Sequence, residues 1–382
     1  MPRPLPPLYP ITDARQSSPL AAQIAAFGEA GFPLIQFRGK PLGADVQMDQ
    51  LRAALRASAE TGGWPLICVN DRADLAVIAA AEGLVPWGLH LGQEDLPHGE
   101  ATKLHGLAGL RLGASTHGLD EWAALDAPVD HAGVGPFRGT GTKADHAVPI
   151  GLDGLRAGCS ALRAKGLAPI AIGGLRMEDA DACFGAGAES LAMVGELARA
   201  ADPAALGWAA QRARWRARPL PIGSGAVIAG SSGAGKSTLG TALATGLRLP
   251  FHDLDAAIEA TEGSSIVSIF EKRGESAFRA LEALHLAPLL DRPAIIALGG
   301  GAWESEAVRA AVQASGFTAL WLAEPPGRCW ERVVLDPGRP LAQDRSAFMA
   351  RHRARLGRWA ELPCILPFGR GAEEVAGAML AP

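Results

Sequence analysis

Eight apolar runs of four or five residues recur through the first half of this chain, with helical stretches between most of them. They are Leu8–Ile11, Pro33–Phe37, Pro65–Val69, Gly88–Leu91, Arg111–Ala114, His131–Val134, Pro169–Ile172 and Ser190–Val194. The intervening segments, such as Met48–Thr61 and Leu152–Ala164, are rich in Ala and Leu at helical spacing. Such alternation over about 200 residues predicts a parallel (β/α)₈ barrel of the TIM type. A doubly wound sheet has the same periodicity, so period alone leaves both open.

Polar residues fall immediately after these runs. Arg38 and Lys40 follow the second, Asn70 and Asp71 the third, and Gln93 to Asp95 the fourth. Ser115 and Thr116 follow the fifth, Thr140 to Lys143 lie beyond the sixth, and Gly173–Gly174 follow the seventh. In a barrel all of these positions converge on one mouth, where active sites form.

A length of 382 residues predicts two domains rather than one. We expect a barrel over 1–217, a Pro/Gly linker over 218–225 and a second α/β domain over 226–382, opened by the strand Ala226–Ala229. The last helix of the first domain runs from about 203 to 217, and its basic end, Gln211–Arg218, reads as a solvated helix terminus. A net charge of −4 argues against nucleic acid and anionic membranes as partners. Five scattered cysteines without CxxC spacing, no apolar run near ~20 residues and a proline-rich start together predict a cytoplasmic protein. No feature specifies an oligomeric state.

Asp71 and Asp95 end adjacent strands of the expected barrel and offer hard oxygen ligands that suit Mg²⁺. Arg38, Lys40 and Lys143 stand around them. A metal with cations at one rim is what a departing diphosphate needs, because charge accumulates on its oxygens as the bond breaks. Gly173–Gly174 and Val194–Gly195 would offer backbone N–H groups to a phosphate.

The segments LYPITD, QFRGK, VNDRADLA, GLHLGQEDLP, GASTHGLDE, GVGPFRGTGTK, AIGG and AMVGEL, in this order over about residues 8–198, resemble the thiamine-phosphate synthase family. The resemblance implies joining a hydroxymethylpyrimidine diphosphate to a thiazole phosphate, by early departure of diphosphate and capture of the pyrimidine cation by the thiazole nitrogen. It implies Asp71 and Asp95 as Mg²⁺ ligands, Arg38, Lys40, Asn70, Ser115 and Lys143 on the diphosphate, and Gln36 on the pyrimidine. Thr140, Thr142, Gly174, Val194 and Gly195 would seat the thiazole phosphate, with Lys143 compensating leaving-group charge. The chain departs from that pattern where Gly39 replaces an acidic residue, where Arg138, Gly139 and Gly141 stand in place of apolar residues and a serine in the GPFRGTGTK loop, and where Gly195 replaces a serine. The related thiazole tautomerases use a histidine, for which His117 would stand, but lack the Thr-x-Thr-Lys loop.

Gly230-Ser-Ser-Gly-Ala-Gly-Lys236-Ser237 is a complete P-loop between a strand and a helical stretch. The backbone of Gly233, Ala234, Gly235, Lys236, Ser237 and Thr238 would cradle ATP phosphates, Lys236 would reach the β/γ oxygens, and the Ser237 hydroxyl would join Mg²⁺. Further on, FHDLDAAIE, FRALE, ALGGG and GRPL resemble the shikimate kinase family over residues 226 to about 362. The resemblance implies Asp253 at Mg²⁺, Asp255 binding and orienting or deprotonating the acceptor hydroxyl, and Arg279 on the acceptor carboxylate. Gly300 and Gly301 would permit close backbone approach, and Arg339 would cover the transferring phosphate from a lid. Where that family reads R-x-P-L-Y this chain reads Arg353-Ala-Arg-Leu-Gly357, with Arg353 expected as the second carboxylate contact. The expected function is therefore bifunctional, with small-molecule substrates. The alternatives are a synthase fused to a kinase for another small alcohol, a nucleotide- or metabolite-sensing module, and a tautomerase-like barrel.

Overall fold

The computed structural model describes residues 4–104, 106–107, 109–125, 129–139, 148–335 and 344–381. The chain divides into two compact units, Met1–Arg218 and Pro219–Pro382. In the first, strands β1 (Leu8–Pro10), β2 (Leu34–Phe37), β3 (Leu66–Asn70), β4 (Gly88–Leu91), β5 (Arg111–Thr116), β6 (His131–Val134), β7 (Ala168–Ile172) and β8 (Ser190–Met193) form one sheet. Its order is β1-β8-β7-β6-β5-β4-β3-β2, with every pairing parallel. The two ends meet: Ile11 bridges Gln36, and the Thr12 N–H donates to the Gln36 carbonyl at 3.0 Å. End strands that meet make a closed barrel, which excludes the doubly wound alternative.

The barrel interior is unusually polar. His90 and His131 stack with ring centroids 5.6 Å apart, Trp87 stacks on His131, and Tyr9 meets its edge. Room for two imidazoles comes from Gly113, where a Cβ would lie 2.2 Å from His131 Nε2 and 2.4 Å from His90 Nδ1. Around them a cluster including Leu5, Ile11, Leu34, Cys68 and Ile170 completes the core.

The helix Pro203–Ala217 corrects the reading of its basic end as a solvated terminus. Gln211, Arg214 and Trp215 are buried, and Arg214 Nη1 donates to the Leu5 carbonyl at 2.5 Å. Arg216 pairs with Asp181 and Arg218 with Glu189. Arg214, Arg216 and Arg218 are tied to barrel groups while Arg212 and Arg216 stay exposed, so one face of this helix end packs on the barrel and the other meets water.

The second unit is a parallel sheet of β9 (Ala226–Ala229), β10 (Phe251–Asp253), β11 (Ile295–Ala297), β12 (Thr318–Leu322) and β13 (Cys364–Ile365), in the order β10-β11-β9-β12-β13. The segment expected as a linker packs against this unit: Ile222 is buried, and the Pro221 carbonyl accepts from Thr318 Oγ1 at 2.6 Å. β9 sits at the centre of the sheet, so its carboxyl end opens between neighbours on both sides, the place where α/β sheets bind ligands. Among the described residues no helix is long and apolar enough to cross a membrane.

Burial holds the His131 imidazole down to about 4, with Asp130 opposing only in part. Its folded pKa lies below the unfolded value, so the unfolded chain takes the proton first, and stability falls as pH drops from about 6.5 toward 4. Its contribution to the loss approaches about 3 kcal/mol by pH 4. Urea unfolding of the barrel followed against pH should have a shallower slope in this window for His131→Leu; an unchanged slope would remove His131 as the cause.

Candidate active sites

Strands that all run one way deliver their carboxyl ends to one mouth, and in the barrel that mouth holds a cavity of about 920 Å³. Gln36, Arg38, Asn70, Ser115, Gly174, Val194 and Gly195 all line it, as the strand-end placement requires. Arg38 is anchored through its backbone N–H to Thr12 Oγ1 at 2.8 Å, and burial pushes its guanidinium down against the attraction of Asp71 and Asp13. Gly173 and Gly174 have φ of 95° and 64°, the left-handed region glycine enters without strain. Ser115 Oγ lies 3.1 Å from His90 Nε2, and His117 Nδ1 lies 3.2 Å from Glu121 Oε2.

Asp71 comes directly after β3 with φ of 62°, a conformation rare for a side-chain-bearing residue. Its carboxylate meets Lys40 Nζ at 2.6 Å and lies within hydrogen-bonding reach of Asp95. Asp95 is held by the Gly92 N–H, 2.6 Å from its Oδ2. Burial pushes Asp71 up, but Lys40 together with Asp95 and His90 outweighs this and leaves it low; burial and the charge of Asp71 push Asp95 up against the Gly92 N–H. Two carboxylates brought together with one unfavourably charged make a donor set that fits a hard divalent cation. No group of three or more His, Cys, Asp or Glu side chains suited to a metal occurs among the described residues, so water or phosphate oxygens would supply the remaining ligands. Thr140, Thr142 and Lys143 lie outside the described residues.

In the second unit the P-loop joins β9 to the helix Lys236–Leu247. Gly233 has φ of 80°, and a Cβ there would lie 2.4 Å from the Cys329 carbonyl oxygen. Lys236 Nζ donates to the carbonyls of Gly230 and Ser231, which curls it over the loop. Ser237 Oγ donates to Asp253 Oδ2 at 2.6 Å, a hydroxyl beside a carboxylate that likewise suits Mg²⁺. Ala234, Gly235 and Thr238 line a cavity of about 250 Å³ on one side of the loop.

A separate cavity of about 410 Å³ holds Asp255, Arg279, Gly300 and Gly301. Arg279 is fixed by Glu282 at 2.7 Å and Glu275 at 2.9 Å, while Glu282 is fully buried. Burial pushes the Glu282 carboxyl up to about 7 despite Arg279, and Asp255 adds to the rise. These glycines let the acceptor-cavity side chains approach the backbone: a Cβ on Gly301 would lie 2.3 Å from Arg279 Nη2 and one on Gly299 2.4 Å from Asp255 Oδ1, so a side chain at either would displace the tip of that group.

The family model described as thiamine monophosphate synthase matches residues 8–197, and that described as shikimate kinase matches residues 232–361. A thiamine-phosphate synthase of Chloroflexus aurantiacus is 39% identical over 51% of this chain and 86% of its own. A shikimate kinase of Ruegeria pomeroyi is 37% identical over 39% of this chain and 78% of its own. A solved thiamine phosphate pyrophosphorylase from Pyrococcus furiosus is 25% identical, covering 55% of this chain and 96% of its own with a TM-score of 0.46. The chain belongs to the thiamine-phosphate synthase family through its first unit and to the shikimate kinase family through its second.

One expected residue of the shikimate kinase unit is corrected. Arg353 is exposed and does not line the 410 Å³ cavity, because it points off the outer face of the helix Arg345–Trp359. Arg351 and Arg355 line the cavity instead, each two residues away and so about 200° round the helix from Arg353. Counted from Arg355 the segment reads R-L-G-R-W, which keeps the arginine and an aromatic residue, Trp359, but not the proline or leucine of R-x-P-L-Y. The signal was in the helical period: Phe348, Arg351, Arg355 and Trp359 form an i, i+3, i+7, i+11 stripe. His90 and Arg199, which also line the barrel mouth, were missed for a different reason, since nothing in a sequence marks a lone His or Arg as facing a cavity, whereas Glu282 stood in the FRALE motif without a role being read for it. Arg339 lies outside the described residues.

Removing one partner of a buried ion pair leaves the other uncompensated. Glu282→Leu should lower the stability of the shikimate kinase unit by about 3 kcal/mol in denaturant unfolding. A loss under about 1 kcal/mol would mean the pair with Arg279 is not holding that wall.

Proposed function

We propose that the chain is two transferases in one polypeptide. The barrel joins hydroxymethylpyrimidine diphosphate to a thiazole phosphate, giving thiamine phosphate and pyrophosphate, and the second unit phosphorylates shikimate with ATP. The reading is carried by one observation made twice: paired acids and bases of the required kind meet at strand ends, Asp71 with Asp95 and Lys40 in the barrel, and Ser237 with Asp253 beside Asp255 in the kinase.

In the barrel, the carboxylates of Asp71 and Asp95 would hold Mg²⁺, which when bound supplies charge neutralisation for the departing diphosphate. Arg38 lines the mouth and Lys40 stands on Asp71, so both would place positive charge where it counts most as the C–O bond to diphosphate breaks. Gln36, buried at the floor of the cavity, presents an amide that both donates and accepts, which suits a pyrimidine edge. Gly174, Val194 and Gly195 leave backbone open toward the second phosphate. From the family resemblance, Lys143 stabilises the leaving group, and Thr140 and Thr142 seat the thiazole phosphate.

In the kinase unit, the P-loop and Lys236 hold the ATP phosphates. Ser237 and Asp253 would hold Mg²⁺, which spreads the charge of the γ-phosphoryl group. Asp255 lines the acceptor cavity beside Gly299 and orients the attacking hydroxyl, taking its proton as the O–P bond forms. Arg279 meets the acceptor carboxylate through a rigid guanidinium fork, and Arg339 covers the transferring phosphate.

Purified full-length chain is tested with two assays, pyrophosphate release from the pyrimidine and thiazole substrates, and ADP release with shikimate against thiamine-precursor alcohols. Turnover in the first and preference for shikimate in the second are expected; preference for another alcohol would replace shikimate. Asp71→Ala should slow pyrophosphate release by about 100-fold or more without touching the kinase assay, and an unchanged rate would remove it from the site. Asp255→Asn should slow phosphoryl transfer by about 100-fold or more with ATP affinity within a factor of two. Equal loss of ATP binding would contradict its role.

A further inference from the structure

The 250 Å³ cavity beside the P-loop carries a buried acid that no step of phosphoryl transfer uses. Glu324 comes two residues after β12 and lines that cavity, with its side chain 2% exposed. Burial pushes its carboxyl up, and Arg332 and Arg328 oppose the rise. A carboxylate here would repel the phosphates of ATP, so any part it plays in holding a nucleotide runs through the cations beside it.

The helix Pro326–Val333 supplies those cations. Arg328 Nη1 lies 3.8 Å from Glu324 Oε1, and Arg332 Nη2, one turn further along, donates to the same oxygen at 3.1 Å. Of the two, Arg332 lines the cavity. Its Nη1 reaches across to the P-loop and donates to the Gly233 carbonyl at 3.0 Å. The Arg332 side chain is 52% exposed, and an arginine so placed keeps much of its rotamer freedom unless its fork is held at both ends. Gly233 holds one end and Glu324 the other. With both terminal nitrogens engaged in the plane of the group, what remains to meet a ligand is its flat face, the part that stacks on aromatic rings. Leu239, Pro367 and Val375 line the same cavity and suit a ring better than a phosphate, while Arg370 on its wall leans toward Glu374 at 3.7 Å.

We propose that Glu324 is a positioning residue for the nucleotide, its carboxylate fixing the Arg332 guanidinium so that the flat face lies against the base of ATP. This rests on the reading of the P-loop as the ATP site. Glu324 itself touches no part of the nucleotide. Its effect is confined to the base, because the phosphates are held by the loop backbone and Lys236.

The test uses the full chain and two probes, ADP and inorganic tripolyphosphate, which keeps the phosphates and lacks the base. In calorimetry, Glu324→Gln should bind ADP about tenfold more weakly than the parent, with tripolyphosphate within about twofold. Arg332→Gln should show the same pattern, and the double variant should lose no more ADP affinity than either single variant. In turnover, Glu324→Gln should raise the KM for ATP about tenfold and leave that for shikimate within about twofold. Unchanged ADP affinity in Glu324→Gln overturns the proposal. An equal loss for tripolyphosphate also does, since the acid would then be bracing the P-loop through Gly233. Additive losses in the double variant do so too, since Glu324 would then meet the nucleotide directly. If the parent binds neither probe, the ATP-site reading fails and the proposal with it. If the parent binds ADP in a Glu324-dependent way yet does not phosphorylate shikimate, the acceptor reading falls and the role of Glu324 stands.

Discussion

Every strand pairing in both units is parallel, and this constraint sets where chemistry can occur. A parallel sheet has two unlike ends, and each carboxyl end releases its chain into a loop that lies beside the loops of its neighbours. Residues far apart in sequence are brought together without any dedicated device. Gln36, Asn70, Ser115, Gly174 and Val194 reach one cavity because each ends or follows a strand of the same cylinder. The closing contact between Ile11 and Gln36 matters for the same reason, since it places the first and second strand ends next to each other and completes the rim.

A rim crowded with charge must be balanced, and the two units do so differently. In the barrel, Lys40 is largely exposed and meets Asp71 from the solvent side, so its attraction is screened and Asp95 is left with the unfavourable share. A cation entering there relieves a strain the protein itself does not fully neutralise. In the kinase unit the balance is internal: Glu282 is fully buried behind Arg279, and the guanidinium is already oriented before any ligand arrives. Pre-orientation of this kind lowers the ordering cost of binding. The first arrangement leaves part of its charge unbalanced and the second balances it within the protein.

Much of the architecture was legible because its signals are periodic. The runs at Gly88–Leu91, His131–Val134 and Ala226–Ala229 are the strands as read, and the helix expected at about 203–217 begins at Pro203 and ends at Ala217. Barrel closure was not legible, since β1 and β2 meet through a bridge outside the named strands and periodicity carries no information on it. The basic run Gln211–Arg218 misled for a physical reason. Arginine buries its stem and still satisfies its head on carbonyls and carboxylates, so a basic helix end need not be a wet one. Arg353 misled through register: two residues along a helix turn a side chain to nearly the opposite face, which a motif read letter by letter does not register.

Three of the barrel's departures from its family's pattern, Gly39, Arg138 and Gly195, are each answered by a neighbour. Where an acidic side chain is usual, Gly39 leaves space that Gln47 fills, since a Cβ there would lie 2.6 Å from Gln47 Cγ. With no carboxylate at 39, the ion pair described for Lys40 is with Asp71. Arg138, standing where an apolar residue is usual, is clamped in a two-pronged pair by the buried Asp179, so its charge is spent within the wall rather than offered to the substrate. Gly195, in place of a serine, makes room for the guanidinium of Arg199, whose Nη1 would lie 3.1 Å from a Cβ at that position. Each change therefore moves a charge or a volume between adjacent side chains and leaves the backbone of the mouth where the strands put it. Judged one position at a time these residues look like losses; judged with their neighbours they are local exchanges, and of the three only Gly195 lines the cavity at the mouth.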